Sequence, residues 1–292
     1  MSDPAESRMF PTMPEADTRS RALKALTGWW EDMGIEAELA PPAKPKRLAP
    51  AGAPERPTRD PLQKPQKPAI ATPQAAQAAG FGTPDGNPEE ARKAVARAST
   101  LDELKAAIEA FDGCALKRTA RKTVFARGNP EAVIMIVGEA PGRDEDEQGK
   151  PFVGKAGQLL DRMIRASGLD PETDVYISNV LNWRPSGNRT PSTEETAICL
   201  PLIERHIALA NPKILVFAGG VSAQSLLRAT TGIMKLRGRW SEYRIKDADG
   251  EAGEHIPAMP IFHPAFLLRR PQEKARAWRD WLEVVKKVEG AD

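Results

Sequence analysis

Proline divides this 292-residue chain more sharply than any other feature, since 15 of its 27 prolines fall at or before Pro88. Proline fixes φ and removes a backbone donor, so a run such as PPAKPKRLAPAGAPERP can enter neither a helix interior nor a central strand. The same stretch has too few large apolar residues to offset the entropy of ordering it. A disordered Pro/Ala-rich extension is therefore expected over 1–87, with a semi-rigid basic tether from residue 39 onward. Within it, residues 17–38 carry Leu23, Leu26, Trp29, Trp30 and Met33 at helical spacing. That amphipathic helix would either fold back onto the core or dock a protein partner. A folded domain is expected over 88–292, long enough to bury a sizeable core.

Several classes drop out. No apolar run is long enough to cross a membrane as a helix, and MSDPAESRMF lacks the apolar core of a secretory signal. Two cysteines cannot build a disulfide framework, and their separation is not that of a metal-ligand pair. The expected setting is a reduced cytoplasm. A formal net charge of +2 neither demands nor excludes nucleic acid, so an anionic partner would need a local basic face.

Beyond Pro88, short apolar runs alternate with helical patterns. Thr100 and Glu103 form a capping-box pattern opening TLDELKAAIEAF. AVIMIVG (132–138), VYISNVL (175–181), KILVFAGG (213–220) and PAMPIFHP (257–264) read as strands. Helices are expected over 153–168, from Thr190–Pro191 to Ala208, over Ser222–Arg228 and over Gln272–Val288, with a polar hairpin or long loop over Gly238–Glu254. Strand–helix alternation implies βαβ units, a mainly parallel sheet and helices on both faces, a three-layer α/β/α sandwich. Ligands of such sheets bind beyond the carboxyl ends of the strands. That singles out GEAPG (138–142), Asn179, Gly219–Gly220 and His263–Pro264.

Each signal has an ordinary reading. GEAPG is a tight turn, and the acidic stretch Arg143–Lys150 reads as a solvated loop. Phe152, at a loop-to-helix junction, suits core packing. Asn179 suits a satisfied structural amide, although its acceptor and two donors match a base edge. His263 suits a structural histidine. Arg184, Arg189, Arg237, Arg239, Arg269 and Arg270 suit surface charge, or a phosphate-binding rim if one sheet edge gathers them.

In combination and order, MIVGEAPGRDEDEQGKPFVGKAGQLLD, VYISNVLNWRPSGNRTPSTEE and FHPAFLLRRP resemble the three signature regions of family-4 uracil-DNA glycosylases, from about Phe111 to Trp281. The resemblance implies an α/β/α sandwich that acts on a uracil flipped from DNA. Phe152 would stack on the ring, with Gly138 and Ala140 lining the pocket. Asn179 would read the uracil amide edge and reject cytosine, and His263 would donate to uracil O2. The wider superfamily's best-known members place an aspartate where Ala140 stands, so Glu139 becomes the candidate for positioning water or stabilising the sugar cation, with Asp144 or Glu145 as alternatives. Leu267 or Leu268 would wedge into the gap left by the flipped base, the competing reading being that one of them anchors the core. Arg184, Arg189, Arg237 and Arg269 would contact the DNA. The expected reaction is that of a monofunctional glycosylase, acting as a monomer on single- or double-stranded uracil-containing DNA. Alternatives are a same-fold glycosylase for other deaminated bases and a uracil-DNA-binding protein without turnover. A covalent trap is disfavoured because VLNWRPSGNRTP lacks a basic, histidine-containing insertion.

The chain departs from the family's four-cysteine [4Fe–4S] pattern. Cys114 and Cys199 occupy two of the places, whereas Lys117 and Trp183 stand in the other two. Two thiolates cannot hold such a cluster. No cofactor is expected: Trp183 would fill the volume, a structural zinc on the cysteines with His206 being the lesser alternative.

Overall fold

The computed structural model describes residues 86–246 and 252–290; the expected helix over 17–38 and nearly all of the tether lie outside them. Helix α1 (Pro88–Val95) starts where the sequence places the domain, capped by Asn87, whose side chain accepts from Glu90 N–H at 2.9 Å. Thr100 caps α2 (Leu101–Ala110), accepting from Glu103 N–H at 3.2 Å. The expected reciprocal box is shifted by one residue. The Glu103 carboxylate reaches past Thr100 to the backbone N–H and hydroxyl of Ser99, at 2.7 and 2.8 Å.

The remaining strands are β1 (Arg127–Gly128), β2 (Ile134–Gly138), β3 (Val175–Asn179), β4 (Ile214–Ala218), β5 (Ser241–Lys246) and β6 (Ala252–Ile261). They form one sheet in the order β1-β3-β2-β4-β6-β5. β3, β2, β4 and β6 pair in parallel, while β1 and β5 close the two edges antiparallel. β5 and β6 form the expected hairpin, with residues 247–251 outside the described set.

The helices between them are α3 (Arg143–Gln148), α4 (Lys155–Ala166), α5 (Thr193–Ala210), α6 (Gly220–Leu227), α7 (Ile233–Leu236), α8 (Pro264–Arg269) and α9 (Lys274–Glu289). The central strands are buried on both faces, which explains their continuous apolar runs. Met135, Val137, Tyr176, Leu215, Phe217 and Ala258 share a cluster with residues of α1, α2, α5 and α6. The alternating positions Ile134, Ile136, Ile177, Val216 and Met259 turn to the other face, where α4 and α9 bury Leu160, Ile164, Trp278 and Trp281.

Among the differences from the sequence reading, two concern helices. The fifth helix begins after Ser192, not at Thr190–Pro191. Ser192 and Glu195 satisfy each other's N–H groups at 3.1 and 2.8 Å, a stronger start than proline alone. The acidic stretch after GEAPG is helix α3 rather than a solvated loop, with Asp146 buried beneath it. Asp146 accepts from Arg121 N–H at 2.7 Å and Lys122 N–H at 3.3 Å, so the segment is held by distant contacts.

Candidate active site

Register brings the strand ends together. Gly138 pairs with Asn179 across β2 and β3, and Ala218 pairs with Ile261 across β4 and β6. Gly219 N–H then donates to Ile261 C=O at 3.0 Å, setting the Gly219–Gly220 turn beside His263. GEAPG, Asn179, the glycine pair and His263–Pro264 therefore open on one end of the sheet.

Gly138 is where two of the side chains meet. A methyl group there would lie 2.4 Å from Asn179 Oδ1 and 2.5 Å from the Phe152 ring. Only glycine admits both. The Phe152 ring in turn lies 5.6 Å from that of His263, at an interplanar angle of 29°. The Phe152 ring thus lies between the Asn179 amide, met at Gly138, and the His263 imidazole. Asn179 is 3% exposed, yet among the described residues its side-chain amide has no hydrogen-bond partner.

His263 caps α8, its Nδ1 accepting from Ala265 N–H at 3.1 Å, with Pro264 at the first helical position. Nδ1 is therefore unprotonated and Nε2 carries the hydrogen. Burial, reinforced by the positive charge of Arg269, lowers the imidazole to about 4, so it is neutral at physiological pH. The result is a neutral donor held in one orientation.

Glu139 is half-buried, and its carboxyl is raised above the ordinary range by burial, opposed by the charge of Arg269. Its backbone C=O accepts from Leu181 N–H at 3.1 Å, fixing the turn against the middle motif. Ala140 is half-buried beside it and packs against the apolar cluster. Glu145 is otherwise engaged: one carboxylate oxygen accepts from Gly142 N–H at 3.1 Å, the other from Val153 and Gly154 N–H at 3.0 and 2.8 Å. This removes Glu145 as a water-positioning group. Asp144 sits by Gly154, where an added methyl would meet its Oδ2 at 2.8 Å.

The two leucines considered for the apolar wedge differ in burial. Leu267 is fully buried in the core and cannot insert into DNA, which corrects that expectation; Leu268 is 39% exposed. The segment is helix α8, so consecutive leucines point to different sides. The arginines do not form one free rim. Arg237 forks onto Asp280 and lies 4.9 Å over the Phe262 ring. Arg189 forks onto Glu195 at 2.6 and 2.8 Å, and Arg184 donates to Asn188 Oδ1 at 2.6 Å. Arg269 remains exposed, within electrostatic reach of Glu139 and His263.

The cysteine place does not fit a four-ligand cluster. Cys114 and Cys199 are fully buried free thiols with sulfurs 3.8 Å apart. Lys117 instead donates to Glu109 C=O at 2.5 Å and to Asp112 at 2.6 Å. Trp183 is buried, donates to Thr123 Oγ1 at 3.1 Å and faces Phe111 at 6.5 Å. His206 does not complete a zinc site: Nε2 pairs with Tyr176 OH at 2.9 Å, Nδ1 lies 3.5 Å from Ser178 Oγ, and the ring stacks on Phe125. Among the described residues, no three His, Cys, Asp or Glu side chains are grouped to hold a metal.

A lone arginine closing the apolar TVFA run, Arg127, escaped the sequence reading although it contacts the Phe152 backbone. The role of Glu145 was open to inference from its three-residue spacing to Gly142, that of a helix start.

A mainly parallel sheet between helices, with Asn179 and His263 at the carboxyl ends of its strands, defines the class of fold. Residues 125–282 match the uracil DNA glycosylase superfamily, and the chain belongs to it. It is 37% identical over 186 residues to the type-4 uracil-DNA glycosylase of Pyrobaculum aerophilum, covering 62% of this chain and 90% of that one. The type-4 enzymes of Archaeoglobus fulgidus and Thermotoga maritima are 36% and 34% identical, over 63% and 62% of this chain and 92% and 89% of theirs.

Proposed function

We propose that this protein is a monofunctional uracil-DNA glycosylase, a hydrolase that releases free uracil from DNA and leaves an abasic site for base excision repair. The Phe152 ring, meeting Asn179 at Gly138 and lying 5.6 Å from the His263 ring, is the observation that carries the reading.

The flipped uracil stacks on Phe152, and Asn179 pairs with its N3–H and O4. Cytosine offers the opposite pattern and would leave the amide unpaired. As the C1′–N1 bond breaks, negative charge gathers on uracil O2, where the neutral Nε2–H of His263 donates. A preorganised donor of this kind is worth on the order of 3–4 kcal/mol. Glu139 faces the sugar side, holding the attacking water or offsetting the cationic sugar. No lysine stands among the pocket residues, so no Schiff-base step follows. Leu268 and Arg269 contact the DNA, the leucine as the apolar wedge. The protein works as a cytoplasmic monomer.

The catalytic domain carries no iron–sulfur cluster; packing around Trp183 takes its structural place. Iron in stoichiometric amount in purified protein would overturn this.

The activity is tested with single- and double-stranded oligonucleotides containing one uracil, followed by hot alkali. Strand cleavage is expected. A denaturation-resistant shifted band would mean trapping, and tight binding with neither result would leave only a binding role.

A further inference from the structure

Phe152 holds its stacking ring from an unfavourable backbone. Its φ is +53°, a left-handed conformation that a bulky aromatic adopts only when its surroundings enforce it. Two enforcing features are visible. Gly157 leaves room for the peptide: a methyl at that position would lie 1.7 Å from Phe152 C=O. Arg127 supplies the other. Its Nε donates to Pro151 C=O at 2.9 Å and its Nη2 to Phe152 C=O at 3.3 Å.

Arg127 is itself fixed. Its side chain is 7% exposed and pairs with Asp161 of α4 at 2.5 Å, with Glu172 at 3.5 Å on the other side. Its backbone belongs to β1, paired Arg127↔Ile177 on β3, the strand that ends at Asn179. Gly128, φ +84°, pins this register, since a side chain there would meet Val175 C=O at 2.2 Å. Arg127 therefore holds the loop bearing Phe152 by its guanidinium and the strand that ends at Asn179 by its backbone.

Resting on the glycosylase reading, we propose that Arg127 is a positioning residue for base stacking: it sets Phe152 relative to Asn179 without touching the substrate. A fork with several donors is required, because Lys has one point of attachment and cannot span two carbonyls and a carboxylate.

The probe is free uracil as an inhibitor of cleavage, since it occupies the pocket without any DNA contact. Arg127→Met is expected to raise the inhibition constant about tenfold, the scale of a lost base–aromatic stack, with affinity for abasic-site DNA within about twofold of wild type. In a Phe152→Ala background the same substitution should have no further effect on uracil inhibition, a non-additivity that a general loss of stability would not produce. An unchanged inhibition constant, or a full additional loss in the Phe152→Ala background, overturns the proposal. If Arg127→Met does not accumulate as folded protein, Arg127→Lys carries the comparison, with several-fold weaker inhibition expected and no change overturning it. Wild-type protein that leaves uracil-containing DNA intact would overturn the glycosylase reading instead, so the two failures are distinguishable.

Discussion

At His263 the hydrogen bond that caps α8 also decides which ring nitrogen keeps its proton. Because Nδ1 accepts from Ala265 N–H, only Nε2–H is available to the pocket, and burial keeps it neutral down to about 4. His263→Ala should lower turnover by about 10²-fold, measured in single-turnover cleavage, with little change in DNA affinity. Glu139 titrates differently: burial raises its carboxyl above the ordinary glutamate value of 4.5. If it acts as the ionised partner of water or sugar cation, turnover should fall as pH drops through that raised value. Glu139→Gln should abolish this acid limb in a pH–rate profile as well as lower the plateau. A limb that survives the substitution would move the role to another group.

At the scale of the element, α8 shows how one turn of helix assigns opposite tasks to neighbours. Leu267 enters the core and Leu268 faces outward. Leu268→Ala should slow cleavage of double-stranded substrate more than single-stranded, because only a duplex has a gap to fill, and should leave the unfolding midpoint nearly unchanged. Leu267→Ala should instead destabilise by about 2–5 kcal/mol, read by denaturant unfolding. Capping was only partly legible. Thr100 caps where the sequence places it, but Pro191 misdirected the start of α5. Glu195 serves Ser192 N–H and the Arg189 fork together, a choice that depends on where the preceding loop runs. Helix α3 has six residues, too few to display a helical period. Its hold on the fold lies in Glu145, which takes backbone N–H groups on both sides of the helix, and in Asp146, whose backbone partners Arg121 and Lys122 are remote in sequence.

Across the whole molecule, two neutral histidines, His206 buried and His263 half-buried, make stability acid-sensitive. Burial lowers His206 to about 3, and burial with the charge of Arg269 lowers His263 to about 4, from an ordinary 6.5. In the unfolded chain both imidazoles take up protons as pH falls through 6.5, whereas the folded ones resist. Protons then favour unfolding, so this contribution is present above about 6.5 and is lost as pH drops toward 4, at roughly 1.4 kcal/mol per pH unit for each histidine. Urea midpoints measured from pH 7 to 4.5 should fall accordingly, and His206→Gln should flatten the trend.

Much of this architecture was readable before any coordinates, because fully buried parallel strands are written as unbroken apolar runs and because chemistry at such a sheet collects at the carboxyl ends of its strands. AVIMIVG, VYISN and KILVFA announce themselves in that way, and so do the glycines and the polar residues that follow them. What depended on tertiary structure was every outcome set by contacts distant in sequence. Leu267 rather than Leu268 became core, Asp146 was buried against the backbone of Arg121 and Lys122, Arg237 was drawn onto Asp280, and Arg127 reached the peptide of Phe152. A residue's chemistry and its local period are encoded at its own position, but its partners are chosen only when the packed chain fixes direction and distance.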